Sequence, residues 1–181
     1  MEGPSIVLRQ WRDDDLERYA EMNADPEVMR FFPRLVTRAE SEESMLRQRA
    51  LIERRGWGLW AVEVGGAFAG FTGLAVPAFE APFTPCVEIG WRFRREYWGR
   101  GIAHAAAVEA QSRAFEVLKL PALVSFTAAI NGRSRRLMER LGFARDEAGD
   151  FLHPSLPAES PLRLHVLYRK ANPRLPGTVS V

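Results

Sequence analysis

Apolar and polar residues alternate along residues 87–93, where every second position from Val87 to Phe93 is apolar. Alternation with a period of two predicts a β-strand with one apolar face. Directly after this strand, residues 102–117 carry apolar side chains at helical spacing, many of them alanine. The centre of the chain is therefore predicted to be a strand followed at once by a helix.

The same patterns predict further elements on both sides of this pair. Strands are predicted at residues 5–9, 59–64, 67–75, 122–127, 143–146 and 163–169. Helices are predicted to start at caps near residues 13–15, 37 and 131, and to end near residues 22, 55 and 141. The order β-α-α-β-β-β-α-β-α-β-β predicts an α/β fold. We expect a mixed, mostly antiparallel sheet with one parallel crossover and helices on both faces.

Three local signals support these boundaries. Thr37 and Glu40 have the spacing of a capping box, and Gly56 is placed to end the helix that they open. Gly65 and Gly66 form a two-residue hairpin turn between two strands. Residues 150–161 contain three prolines and are predicted to form a long ordered loop.

Length and composition predict one soluble domain. The 181 residues, 46% of them hydrophobic, suit a single domain over residues 1–172 with a flexible tail over 173–181. No apolar run approaches the roughly 18–20 residues of a membrane span, and residues 1–5 lack the features of a signal peptide. The single cysteine, Cys86, suits a reducing cytoplasm. The net charge of +2 argues against a nucleic-acid partner.

The connection between the central strand and its helix predicts an anion site. It consists of Trp98, Gly99, Arg100, Gly101, Ile102 and Ala103. Glycines permit a tight turn, and the first N–H groups of a helix have no partner within the helix. These groups and the helix dipole favour a bound phosphate. The alternative is an ordinary strand-to-helix turn. Neither a nucleotide triphosphatase loop nor a dinucleotide-binding fingerprint is present.

Arginines cluster around this turn and are candidate phosphate partners. They are Arg92, Arg94, Arg95 and Arg100. Arginine is well suited to this role because its planar guanidinium donates to a phosphate at two points.

Two motifs together resemble the GNAT superfamily of acyl-CoA-dependent N-acetyltransferases, in particular the branch of ribosomal-protein N-acetyltransferases. The first is the strand from Glu88 to Trp91 followed by the glycine turn, and the second runs from Asn131 to Phe143. The resemblance implies that N–H groups from Trp98 to Ala103 hold the pyrophosphate of acetyl-CoA. It also implies that an N–H near Phe93 or Arg94 binds the thioester oxygen. The second motif adds Asn131 and Ser134 to the cofactor site. The strands around residues 86–93 and 122–127 would separate to admit the pantetheine.

One departure from the family affects the general acid. Many relatives carry a tyrosine on the last helix where this chain has Met138, which cannot donate a proton. Ser134 is the remaining hydroxyl on that helix and could hydrogen-bond the departing thiolate. Glu88 is the candidate general base, since an amine must lose a proton to attack. For both residues a structural role is the alternative: a surface serine and a salt-bridged glutamate.

The acceptor side carries a weaker signal. Phe31 and Phe32, beside Pro33, are candidates to line the substrate cleft, and His153 lies near the expected substrate side. No three histidines have metal-ligand spacing, so no metal is predicted. An edge strand at 163–169 would leave a homodimer possible.

The leading hypothesis is a cytoplasmic, bacterial-type N-acetyltransferase. It would move acetyl from acetyl-CoA to a primary amine of a protein N-terminus or small molecule, by direct attack in a ternary complex. A non-catalytic acyl-CoA-binding regulatory module is one alternative, and transfer of a larger acyl group such as succinyl is another. The sequence leaves the acceptor amine unidentified.

Overall fold

The strands and helices follow the predicted order in a computed structural model, which describes residues 5–175. The strands over this range are β1 (Ile6–Arg9), β2 (Leu59–Val64), β3 (Ala67–Ala75), β4 (Glu88–Phe93), β5 (Ala122–Ala128), β6 (Ala144–Leu152) and β7 (Leu164–Ala171). The α-helices are α1 (Leu16–Ala24), α2 (Arg38–Arg55), α3 (Ile102–Ser112) and α4 (Gly132–Arg140). A π-helical turn over Arg113–Val117 continues α3, which accounts for the longer helix predicted there.

The strands form one sheet in the order β1-β2-β3-β4-β5-β7-β6. Antiparallel pairing joins β1 to β2, β2 to β3, β5 to β7 and β6 to β7. β4 and β5 pair in parallel, with Glu88 opposite Val124. The predicted mixed α/β fold with one parallel pair is therefore confirmed. The separation of these two strands to admit a pantetheine stays a prediction.

The helix ends have the predicted caps. The Thr37 hydroxyl accepts from the Glu40 N–H, and the Glu40 carboxylate accepts from the Thr37 N–H, which completes a capping box. Gly56 ends α2 in a left-handed conformation with φ of 75°. Asn131 caps α4 by accepting from the Ser134 N–H at 3.2 Å. These side chains satisfy N–H groups that a helix cannot pair internally.

The chain divides into two compact units. The first unit contains residues 5–74 and 90–110 of the described range. Its core contains Trp11, which is 2% exposed and packs with Tyr19, Phe68 and Phe71. The indole Nε1–H of Trp11 donates to the Leu59 carbonyl at 2.7 Å, so the polar edge of this buried ring is satisfied.

The second unit contains residues 75–89 and 111–175 of the described range. Its aromatic core surrounds Phe83, with Val124 and Leu167 buried beside it. Phe79, Phe126 and Phe151 complete the cluster, with ring centroids between 4.9 and 6.5 Å apart. A single domain over residues 1–172 stays a prediction.

The strand predicted at 143–146 is longer than the sequence indicates. β6 continues to Leu152, so it occupies the start of the segment predicted to be a loop. Three of its charged residues are paired: Asp146 binds Arg169, and Asp150 binds Arg145. A register shift between Asp146 and Phe151 accommodates the intervening residues. These ion pairs therefore help to stabilise a strand that extends past the predicted end at residue 146.

β7 is an interior strand, which corrects the expectation of an edge at 163–169. It pairs with β5 on one side and with β6 on the other. The edge argument for a homodimer therefore does not apply to this segment. Within the predicted tail at 173–181, Arg174 forms an ion pair with Glu116 and its N–H donates to Asn172. The flexibility of this tail stays a prediction. Residues 176–181 lie outside the described residues.

Candidate active site

The predicted glycine turn lies at the start of α3, in the first unit. Gly99 and Gly101 have φ of 71° and 75°, in the left-handed region that favours glycine. A Cβ added at either position would meet no atom within 4 Å, so the space in front of the turn is open. The backbone of the turn is thus accessible to a ligand.

The N–H groups of Gly99 to Ala103 make no backbone hydrogen bond within residues 5–175. The first amide after them to do so is that of Ala105, which donates to the Gly101 carbonyl at 3.0 Å. Successive unpaired N–H groups at a helix start attract anions through hydrogen bonding and the helix dipole. The geometry is that of a phosphate-binding turn.

The Trp98 amide is engaged within the turn, and cofactor contact by Trp98 stays a prediction. Its N–H donates to the Arg95 carbonyl at 3.0 Å and its indole Nε1–H to the Phe93 carbonyl at 2.9 Å. The ring packs against the core of the first unit. The main-chain ligands of a phosphate are therefore expected to begin at Gly99.

The Arg94 amide is likewise engaged, since it donates to the Ala69 carbonyl at 3.0 Å. Its side chain pairs with Glu96 at 2.9 Å, and Arg95 pairs with Asp25 at 2.7 Å. Both guanidinium groups thus have acidic partners, and phosphate contact by Arg94 and Arg95 stays a prediction. Binding of the thioester oxygen by Phe93 stays a prediction.

Arg100 remains the best placed of these arginines. It is exposed within the turn, with its guanidinium 5.7 Å from the centroid of the Tyr97 ring and Nη1 donating to the Glu96 carbonyl at 3.3 Å. Such long, exposed contacts are readily exchanged for a charge-assisted bond to a phosphate. Contact between Arg100 and a cofactor stays a prediction.

Glu88 belongs to the second unit and has an unusual ionisation. Desolvation raises the pKa of its carboxyl to about 8. No ion pair involves Glu88 within residues 5–175, so a structural salt bridge does not account for the residue. Desolvation, and secondarily the Glu88 charge, raises the pKa of Cys86 to about 11. A carboxyl that titrates near pH 8 is well matched to accept a proton from an amine.

The α4 motif has one free hydroxyl. The Asn131 carboxamide donates to Thr127 Oγ1 at 3.0 Å as well as accepting from the Ser134 amide. The Ser134 hydroxyl makes no hydrogen bond to any residue in the described part of the chain. Met138, one turn later, is 1% exposed and belongs to the core. Ser134 thus has a hydroxyl that is available as a donor, whereas the side chain of Asn131 is occupied in capping α4. Cofactor contacts by either residue stay predictions.

A pocket of about 400 Å³ lies within the first unit. It is lined by Trp11, Tyr19, Asn23, Arg34, Val36, Glu40, Glu43, Ser44, Arg47, Gln48, Leu59, Phe71 and Arg92. Phe32 lies against one of these residues, with its ring centroid 4.0 Å from the Arg92 guanidinium. Phe31 instead has the guanidinium of Arg30 at 5.8 Å from its ring. Substrate contact by the two phenylalanines stays a prediction.

His153 lies in the second unit among aromatic side chains. Its ring centroid is 4.8 Å from that of Phe79 and 4.8 Å from that of His165. Burial lowers the pKa of His153 and lowers that of His165 to about 4. Both rings are therefore favoured in the neutral form, and a substrate contact by His153 stays a prediction.

Sequence reasoning missed the roles of Arg92 and Asn23. Arg92 was grouped with the phosphate arginines, but Nη1 donates to Asn23 Oδ1 at 2.6 Å and the side chain lines the pocket. The available signal was alternation, because Arg92 lies on the same strand face as Glu88 and Gly90, opposite the apolar face. Asn23 carried no such signal, since its importance comes from a contact 69 positions away.

A sequence model of the family described as "Acetyltransferase (GNAT) domain" matches residues 5–144. The chain belongs to the GNAT acetyltransferase family. This is a family of acetyl-CoA-dependent acyltransferases, in agreement with the resemblance carried by the two motifs.

Individual relatives agree with this assignment. The chain is 33% identical over 134 residues to the FsC-acetyl coenzyme A-N(2)-transacetylase of Aspergillus fumigatus, a match covering 70% of this chain and 57% of that protein. The chain thus spans little more than half the length of this curated relative. An acetyltransferase from Agrobacterium tumefaciens superimposes with a TM-score of 0.72 at 26% identity, over 94% of this chain and 92% of that one. The ribosomal protein S5 alanine acetyltransferase from Vibrio fischeri shares the fold, with a TM-score of 0.74 at 17% identity and 96% of each chain covered.

Residues 5–175 contain neither a candidate membrane span nor a candidate metal cluster. No helix there has both the length and the apolar character needed to cross a bilayer. No group of three or more metal-binding side chains was found in the same range.

Proposed function

We propose that the protein is an N-acetyltransferase that transfers the acetyl group of acetyl-CoA to a primary amine. The observation that carries this proposal is the glycine turn, whose N–H groups from Gly99 to Ala103 are unpaired at the start of α3. Together with membership of the GNAT family, it supports binding of the CoA pyrophosphate at this turn. Arg100 would add a charged contact to the same phosphates.

The chemistry is a direct transfer. The amine nitrogen attacks the thioester carbon, a C–N bond forms, and the C–S bond breaks as the thiolate of CoA leaves. Glu88 would take the proton that the amine releases, directly or through one water. Ser134 would donate a hydrogen bond to the departing sulfur. An N–H such as that of Phe93 would bind the carbonyl oxygen as it gains negative charge.

The proposal also covers the acceptor, the cellular location and the oligomeric state of the protein. The acceptor would be a protein N-terminus or a small-molecule amine, and the net charge of +2 disfavours a nucleic-acid partner. One cysteine in 181 residues supports a reducing cytoplasm, in a bacterial-type enzyme. The proposal includes a homodimer, although the interior position of β7 removes the edge that first suggested it.

The test is release of CoA thiol from acetyl-CoA with a panel of N-terminal peptides, polyamines, amino acids and aminoglycosides. Calorimetric titration with CoA runs beside it, and succinyl-CoA serves as a second donor. We expect CoA binding and turnover with at least one amine, and loss of turnover in Glu88→Gln or Ser134→Ala. Tight CoA binding without turnover for any amine would instead support a non-catalytic acyl-CoA-binding module. Absence of both contradicts the assignment of the glycine turn.

A further inference from the structure

We propose that the pocket of the first unit binds the acceptor through a carboxylate that pairs with Arg92, so the acceptor is an amine that carries a carboxylate group. This inference rests on the proposed function, because it names the substrate class for the same reaction. The carboxylate could belong to a free amino-carboxylate or to an acidic side chain of a peptide. The test below distinguishes these two kinds of acceptor.

Arg92 is a half-buried cation without a counter-ion in residues 5–175. No carboxylate lies within salt-bridge distance of it in residues 5–175, and its Nε–H, fully shielded from solvent, has no hydrogen-bond partner there. Only Nη1 is engaged, by the neutral Asn23 carboxamide. Desolvation lowers the pKa of Arg92. Burying a charge in this way is costly unless a partner of opposite charge completes the site.

The other charges of the pocket are already paired. Arg34 binds Glu40 at 2.6 Å, and Arg47 lies 3.7 Å from Glu43. Three arginines and two glutamates line the pocket, so Arg92 is the cation left without an acid. The pocket therefore favours a ligand that brings one negative charge, and it opposes a polycation.

The guanidinium of Arg92 is held in a fixed orientation. Phe32 and Phe71 have ring centroids 4.0 and 5.4 Å from it. Asn23 is held in turn, because its Nδ2 donates to Ser41 Oγ at 3.0 Å and the Ser41 hydroxyl donates to the Thr37 carbonyl at 2.9 Å. A planar guanidinium fixed by aromatic contacts and a buried relay presents its free donors at a defined angle, as two-point carboxylate binding requires.

The test compares matched acceptors that differ only in the anionic group. 4-Aminobutyrate is compared with 4-aminobutyramide, and a peptide with an acidic second residue is compared with its amide counterpart. Spermidine serves as the polycation. We expect kcat/KM to be at least about tenfold higher for one carboxylate of these pairs than for its amide. The pair that shows the preference identifies the source, and spermidine is expected to be the poorest acceptor.

Three variants assign the preference to Arg92. Arg92→Gln and Arg92→Lys should each lower kcat/KM for the carboxylate acceptor by about tenfold or more, because both lose the two-point donor. The kcat/KM for the amide acceptor and the KM for acetyl-CoA should change little. Asn23→Asp supplies an internal carboxylate to Arg92 and should abolish the preference in a folded protein. Arg18→Gln, an exposed arginine on α1, is the matched control and should keep it.

A binding readout separates this inference from the proposed function. In protein labelled with ¹⁵N-arginine, the Arg92 Nε–H resonance is assigned by its loss in Arg92→Lys and followed while the carboxylates and amides are added. The inference requires a shift with carboxylates only. Acetyl transfer without such a shift, or with spermidine preferred, overturns the inference and leaves the proposed function intact. A carboxylate shift without any acetyl transfer contradicts the proposed function instead.

Discussion

The hydroxyl of Ser125 donates to the carbonyl of Ile89 at 2.9 Å, in a fully buried contact between β5 and β4. Thr72 makes the corresponding contact from β3, because its hydroxyl donates to the Gly90 carbonyl at 2.9 Å. Side chains therefore satisfy two successive carbonyls of β4. β4 carries both Glu88 and Arg92. Its backbone is therefore fixed by side-chain hydrogen bonds in addition to those between strands.

We expect Ser125→Ala to reduce the free energy of unfolding by about 1–3 kcal/mol, because the buried Ile89 carbonyl would lose its partner. Urea denaturation followed by circular dichroism measures the effect. Ser155→Ala, at an exposed serine of the same unit, is the control and should change stability by less than about 0.5 kcal/mol. Equal stabilities for the two variants would contradict the role given to Ser125.

Gly101→Ala tests the anion turn. The substitution forces a left-handed φ on alanine at a cost of about 1–2 kcal/mol and should weaken CoA binding by about tenfold, because it displaces the N–H groups of the turn. Isothermal titration calorimetry with CoA measures the affinity.

Gly56→Ala is the matched control for this variant. Gly56 also has φ of 75° with no atom within 4 Å of an added Cβ, but it ends α2. Its substitution should cost similar stability and leave CoA affinity unchanged. A comparable loss of affinity in both variants would show that general destabilisation, rather than the turn, is responsible.

Elements with strong periodicity were predictable from sequence, and those stabilised by distant contacts were not. The capping box at Thr37 and the glycine turn depend on neighbours in the chain, so their residues indicate them directly. β6 was underestimated because its strand pairs Asp146 with Arg169, 23 positions away. The three prolines of residues 150–161 indicated a loop, while the ion pair can be recognised only after β6 and β7 are aligned.

The candidate site divides in the same way. The N–H groups after Gly99 follow from local backbone geometry, so the sequence could indicate them. The engaged amides of Trp98 and Arg94 could not be anticipated, because one depends on a short helical turn and the other on the partner strand. Whether Arg92 has a counter-ion within residues 5–175 depends on all the side chains that surround it. Only the folded structure reveals it.

Ser134→Ala tests the leaving-group contact. Because the hydroxyl has no partner in the described residues, its removal should leave the fold intact and lower kcat by about tenfold through loss of one hydrogen bond to the thiolate. Steady-state kinetics at saturating acetyl-CoA measures kcat. Asn131→Ala is the contrasting variant, since it removes the cap of α4 and should cost about 1 kcal/mol of stability. Unchanged kcat in Ser134→Ala would contradict a contact between this hydroxyl and the leaving thiolate.

The pH dependence of turnover tests Glu88 as the base. With a carboxyl pKa of about 8, only the minor ionised fraction accepts a proton at pH 7, so kcat should rise up to about pH 8 and then level off. Glu88→Gln should lower kcat by about 10² and remove this inflection. Glu159→Gln, at an exposed glutamate of the second unit, should preserve both the rate and the profile. An unchanged inflection in Glu88→Gln would assign the titration to another group.

The same carboxyl predicts how stability changes with pH. Its pKa in the folded state, about 8, lies above the ordinary value of 4.5, so folding favours the protonated form. The resulting stabilisation is complete below pH 4.5 and is lost as the pH rises through about 8. His165 acts in the opposite direction: its folded pKa of about 4 is depressed, so its contribution is lost on acidification below pH 6.5. Between pH 7 and 8 the Glu88 effect dominates, because His165 titrates below this range and the Cys86 thiol above it. Denaturation midpoints measured across this range should fall for the wild-type protein and stay nearly constant for Glu88→Gln, whereas parallel curves would show that Glu88 ionises normally in the folded protein.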